Sequence, residues 1–126
     1  MVYKEQSLGK FLAAKEAAST ILMDQGVRNT PIGFEEGLIF QATSHLLLEA
    51  PAFYGFQVMA LTEFPSGAVY PVLKRLATEY GIFESRLEAK IEVSSEPRGG
   101  MVHRPRRFYT PTPQGERILA LFQRKQ

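Results

Sequence analysis

The chain has 126 residues, of which 44% are hydrophobic and 22% charged, with a formal net charge of +2. That is the length of one domain with a sizeable core and the composition of an ordinary globular protein. It contains no cysteine, which excludes disulfides, thiolate nucleophiles and cysteine-based zinc sites and suits a reducing cytoplasm. No apolar run approaches the ~18 residues that a membrane span needs, and Met1 to Lys15 lack the basic head and apolar centre of a secretion signal. The charge is unevenly divided. Residues 1–64 hold four Lys/Arg against seven Asp/Glu, a net of −3, whereas residues 65–126 hold eleven against six, a net of +5. A one-sided basic field is the footprint of a polyanion binder, although a field of this size is also common among proteins that bind none.

Residues 7–25 read as a helix, with Ser7 as N-cap, Gly26 as C-cap and a broken apolar stripe of Leu8, Phe11, Leu12, Ala18, Ile21 and Leu22. This helix either packs on its own domain's core or serves as a dimer contact. A turn-rich loop over 26–33 leads to a second helix, 34–49. Glu35 and Glu36 sit in its first turn, where negative charge suits the helix dipole. Leu38, Ile39, Ala42, Leu46 and Leu47 supply its buried side, and Pro51 ends it. His45 reads as a core-edge histidine rather than a ligand. A short third helix follows from about Tyr54, with Phe56, Val58 and Met59 turned inward. Tyr54 is a packing residue on one reading and a phosphate-contacting hydroxyl on another.

Pro65-Ser66-Gly67 marks the next helix start, where a short polar side chain can accept a bond from the first N–H groups. Val69, Leu73 and Leu76 then form one apolar stripe, with Tyr80 continuing it. Lys74, Arg75 and Thr78 fall on other faces, and Gly81 stops the helix. Pro71 lacks the N–H that would bond the Gly67 carbonyl, so the pair presents the helix start, itself an anion-attracting end. The three helices 34–49, about 54–64 and 66–80 make a helix-turn-helix core.

Residues 82–94 alternate, with Phe83, Ser85, Leu87, Ala89, Ile91 and Val93 on one side and Glu84, Arg86, Glu88, Lys90 and Glu92 on the other. Period two predicts a half-buried strand, with a helix as the competing reading because Glu, Arg, Leu, Ala and Lys all favour one. Pro97 to Gly100 form a turn, and Arg104 to Thr110 return with Phe108 and Tyr109 as strand formers. Arg98, His103, Arg104, Arg106 and Arg107 crowd this hairpin. An arginine-bearing hairpin can straddle a phosphate backbone or enter a minor groove, though one of Arg106 and Arg107 is expected to hold the hairpin to the body, because strand neighbours point opposite ways. Thr112 and Pro113 open a last helix as N-cap and first residue, with Ile118, Leu121 and Phe122 as its stripe.

Two stretches resemble a known family. Gly67-Ala68-Val69-Tyr70-Pro71-Val72-Leu73-Lys74-Arg75-Leu76 with Gly81-Ile82 is similar to the recognition-helix signature of PadR-like winged-helix transcriptional regulators, with Ala68 where threonine is usual. Arg104-Pro105-Arg106-Arg107-Phe108-Tyr109 resembles that family's wing motif, and Tyr54-Gly55-Phe56 its preceding helix start. The resemblance runs from about residue 36 to 122. It implies a homodimeric repressor on double-stranded DNA, relieved by a small-molecule effector, with dimerisation through the last helix. That helix is short here, so helix 7–25 is expected to share the contact.

The expected fold is mainly α with a small β-hairpin wing (α+β), a winged helix-turn-helix with an additional N-terminal helix. Residues 1–33 form that helix and loop, 34–112 the DNA-binding unit with its recognition helix at about 66–80 and wing at about 82–111, and 113–126 the C-terminal helix. The expected DNA contacts are Tyr54, Ser66, Gly67, Ala68, Tyr70, Pro71, Lys74, Arg75, Arg98, His103, Arg104, Arg106 and Arg107. No catalytic, metal or cofactor constellation is expected: His45 and His103 are far apart, Glu35 and Glu36 are adjacent and face apart, and no serine sits in a nucleophile pattern. A winged-helix module for protein contact without DNA affinity, or a ligand-sensing domain, are the alternatives.

Overall fold

The computed structural model describes residues 8–88 and 106–124, with side chains from residue 13 onward. The elements in order are α1 (Leu8–Asp24), α2 (Phe34–Glu49), β1 (Phe53–Tyr54), α3 (Gly55–Thr62), α4 (Ser66–Thr78), β2 (Phe83–Leu87), β3 (Arg107–Pro111) and α5 (Pro113–Arg124). The strands form an antiparallel sheet of order β1-β3-β2. This is a mainly helical α+β fold with winged-helix topology and an additional N-terminal helix.

α1 ends at a left-handed Gly26, φ +73°, where the Val27 and Arg28 N–H groups both return to the Leu22 carbonyl. Its Ala14, Ala18, Ile21 and Leu22 are buried. The described side of α1 therefore packs on its own domain's core. Gly37, a poor helix residue by propensity, has a packing reason: a Cβ there would lie 3.0 Å from the Lys15 Cβ, so α1 and α2 touch at this glycine. Between them, the Ile32 N–H is satisfied by the Ser19 hydroxyl at 3.0 Å.

β1 is a correction to the sequence reading, which ran this stretch straight into α3. Phe53 pairs with Tyr109 and Tyr54 with Phe108. Two residues give no alternation to detect; their strand character comes from the partner. The Phe53 ring then stacks on Tyr109 at 5.2 Å and meets Phe83 edge-on at 5.2 Å, tying all three strands to the core. Phe56 is a second correction. It is 45% exposed, because α3 buries Val58 and Thr62 instead.

α3 stops at Glu63, in the left-handed region at φ 61°, whose N–H bonds the Met59 carbonyl. Pro65 then precedes α4 as its N-cap residue, and its carbonyl accepts from Ala68 and Val69. Ser66 is the first residue inside the helix, and no side chain caps this end. α4 closes two residues before the expected Tyr80, at Thr78, with Gly81 left-handed at φ +63°. Val69, Val72, Leu73 and Leu76 are buried, each contributing about 1.5–3 kcal/mol of transfer free energy.

β2 and β3 pair from Phe83–Pro111 to Leu87–Arg107. Phe83 is buried and Ser85 half-buried as the alternation predicts, but Leu87 is 56% exposed, since the hairpin leaves the body there. The rest of the expected strand, from Ala89, and the turn at Pro97–Gly100 lie outside the described residues. Thr112 caps α5 through the Gly115 N–H at 2.9 Å and donates its hydroxyl to the Gly81 carbonyl at 2.5 Å. A Cβ at Gly115 would stand 1.9 Å from the Ile82 carbonyl oxygen, so only glycine lets α5 start this close to β2. Phe122 closes the core edge-on against Phe40 at 4.8 Å.

Candidate nucleic-acid interface

α4 turns its apolar stripe inward, so one stripe remains outside. Ser66, Gly67, Tyr70, Pro71, Lys74 and Thr78 are exposed, and Ala68 is half-buried beside them. These positions repeat at three and four residues, the period of one helix face. A Cβ on Gly67 would meet nothing within 4 Å, so packing against neighbouring elements does not demand glycine there. Tyr70 is held differently. Its ring lies over Gly55, where a Cβ would come within 2.3 Å of the Tyr70 Cε1, so the α3 glycine makes the space that the ring fills.

Arg75 departs from the outward group. Its Nη1 donates to Glu36 Oε2 at 3.0 Å, and its Nε faces Glu79 at 3.8 Å. Glu36, with only 11% of its side chain exposed, also lies 3.5 Å from Arg28 Nη1 and accepts a long 3.5 Å bond from the Tyr80 hydroxyl. Arg28 in turn donates to the Tyr80 oxygen and to the Thr30 and Pro31 carbonyls. The Glu36 bond and charge hold the Arg75 proton more firmly than usual. α2, α4 and the loop after α1 thus share one carboxylate. Sequence reading placed Glu36 only at a helix dipole; its partner is 39 positions away, beyond any local signal.

The hairpin base is organised by Glu88. Its carboxylate accepts the Tyr54 hydroxyl at 3.1 Å and the Arg106 N–H at 3.2 Å, while its own N–H bonds the Arg106 carbonyl at 2.8 Å. The bond to Glu88, and then its charge, raise the Tyr54 hydroxyl above its ordinary range. Tyr54 stacks on Phe56 at 5.3 Å, and the Arg106 guanidinium covers the Phe56 ring at 5.1 Å. Arg106 therefore ties the hairpin to α3. Arg107 instead donates to Ser85 Oγ across the sheet at 2.6 Å and is exposed. Arg98, His103 and Arg104 lie outside the described residues.

Between α4 and the hairpin runs an open groove of about 640 Å³. Tyr70, Lys74 and Thr78 line it from α4, and Ser85, Arg107 and Tyr109 from the strands. Burial raises the Tyr109 hydroxyl above its ordinary range. No carboxylate is among the described residues that line the groove. The sequence reading found Lys74 and Arg107 but missed Ser85 and Tyr109 as their companions, which alternation had marked only as inward-facing or strand-forming. Elsewhere, His45 is exposed and lies 3.9 Å from Glu49 one turn on. Among the described residues, no group of three His, Asp or Glu could hold a metal ion, and no helix is long and apolar enough to cross a membrane. No family model, curated protein or solved structure matches the chain.

Proposed function

We propose that the protein is a sequence-reading, double-stranded-DNA-binding transcriptional regulator of PadR-like type, working in the cytoplasm as a homodimeric repressor on an inverted-repeat operator. The observation that carries the reading is the outward stripe of α4 lying beside an arginine-bearing hairpin, with Lys74 and Arg107 in one groove that lacks a carboxylate among the described residues. The exposed side of such a helix can enter a major groove, where side chains meet base edges. The hairpin cations meet phosphates, which set position and affinity rather than sequence. One short helix reads few base pairs, and a two-fold dimer doubles the site with half-sites about one helical turn, ~34 Å, apart.

Selection of bound sequences from random duplex DNA tests this reading. The expected result is a two-fold symmetric sequence whose affinity falls with salt by about 0.9 log units per log unit for each phosphate contacted. Enrichment of a non-symmetric sequence would remove the dimer. No enrichment together with salt-independent association would leave a winged-helix module for protein contact.

A further inference from the structure

The groove between α4 and the hairpin holds charge without counter-charge. Lys74 has no ion-pair or hydrogen-bond partner for its ammonium among the described residues, although Arg75 beside it is paired twice. Arg107 reaches the same groove from the strand side. One of its five N–H donors is fixed on Ser85 Oγ, which holds the guanidinium in place and leaves the others for a ligand. The Thr78 hydroxyl donates back to the Lys74 carbonyl at 2.8 Å, so on the helix side the strong donor is the Lys74 ammonium. The rings of Tyr70, Phe83 and Tyr109 also line the groove. An anion against these rings is partly shielded from water and feels both cations more strongly than it would on an open surface. The volume falls within the range that holds one small ligand.

From this we infer that Lys74 and Arg107 converge on a single phosphodiester of the bound duplex, so that recognition helix and hairpin grip one strand at one point rather than two phosphates separately. The inference rests on the DNA-binding reading and adds the geometry of the contact. A phosphate oxygen pair matches what the groove offers: an arginine fork on one wall and a point charge on the other. Lys74 stands on α4 and Arg107 on β3, two elements far apart in the chain, so a shared phosphate would also fix the angle between helix and hairpin.

The test uses the full chain and the duplex recovered by selection, remade as a series in which each phosphate in turn is a neutral methylphosphonate. Lys74→Ala and Arg107→Ala should each weaken binding about tenfold, and the double variant should weaken it little further. One methylphosphonate position should weaken the unaltered protein and erase, to within about twofold, the effect of both substitutions. Two different erasing positions, or additive losses, overturn the inference while leaving DNA binding intact. Undiminished binding by both variants does the same and returns the groove to a small anionic ligand. If the unaltered protein binds no duplex in a salt-dependent way, the functional reading itself fails and the inference falls with it. Thermal melts of both variants check that each is folded, as expected for two exposed side chains.

Discussion

The two sides of α4 treat positive charge in opposite ways. On the seam toward α2, Arg75 meets Glu36, which also faces Arg28 and Tyr80, and the cations are neutralised inside the fold. On the groove toward the hairpin, Lys74 and Arg107 face an opening with no carboxylate among the described lining residues. Lys74 and Arg75 are adjacent in sequence, yet a helix turns about 100° per residue, and that turn alone sends one toward the groove and the other toward Glu36. The count of basic residues in the second half of the chain therefore overstates the charge available to a partner. What matters is which cations have already met an acid.

The contrast can be broken at its strongest point by Glu36→Ala. Removing the shared carboxylate leaves Arg28 and Arg75 facing each other with no acid between them. The expected loss is about 2 kcal/mol of stability by urea unfolding, below the full buried-pair figure because Arg75 is partly exposed. A loss under about 0.5 kcal/mol would mean that the seam does not hold α4 in place. The groove side should behave inversely. Lys74→Ala with Arg107→Ala should leave stability within about 0.5 kcal/mol while lowering the log–log salt slope on random duplex by about one. Arg75→Ala should leave that slope unchanged; a fall of one unit would put Arg75 on the DNA and cancel the distinction between the two sides.

Gly55→Ala sharpens the outer stripe. The new methyl would collide with the far end of the exposed Tyr70 ring, which can swing away. Stability should change by under about 1 kcal/mol, but the ratio of selected to random duplex affinity should fall severalfold as Tyr70 leaves its place. An unchanged ratio would show that Tyr70 reads no base. The smallest effect concerns alkaline pH. Tyr54 and Tyr109 both have hydroxyls raised in the folded state, by Glu88 and by burial respectively. A raised folded-state value means the unfolded chain loses these protons first. Their stabilising contribution is thus complete below about pH 10 and fades as pH climbs through the folded-state values. Tyr54→Phe should flatten the alkaline end of a stability–pH curve; an identical curve would show that the Glu88 bond is not coupled to folding.

Much of the architecture was legible because it is written in local periods. The helix over 34–49 is marked by its acidic first turn, its apolar side and Pro51, and it appears with those bounds. The stripe of Val69, Leu73 and Leu76, the left-handed Gly81 and the Thr112 cap are likewise local chemistry. The misses share another cause. Phe53–Tyr54 is a strand only because Phe108 and Tyr109 come back to pair with it. Phe56 points outward because Val58 and Thr62 already fill the inner face of a two-turn helix. Gly37, which propensity counts against, sits in tight contact with Lys15 of another helix, a contact that no local signal announces.

By itself, then, the sequence determined which segments are helices, to within about two residues where they stop, and that the basic residues gather in the second half of the chain, because propensity, capping and amphipathic period act over a few residues. Only the tertiary structure decided that Arg75 is tied to Glu36 and Arg106 to Phe56, while Lys74 and Arg107 share a groove. Those pairings depend on how α2, α4 and the hairpin cross, and a charge has no meaning for a partner until the packing has settled what stands opposite it.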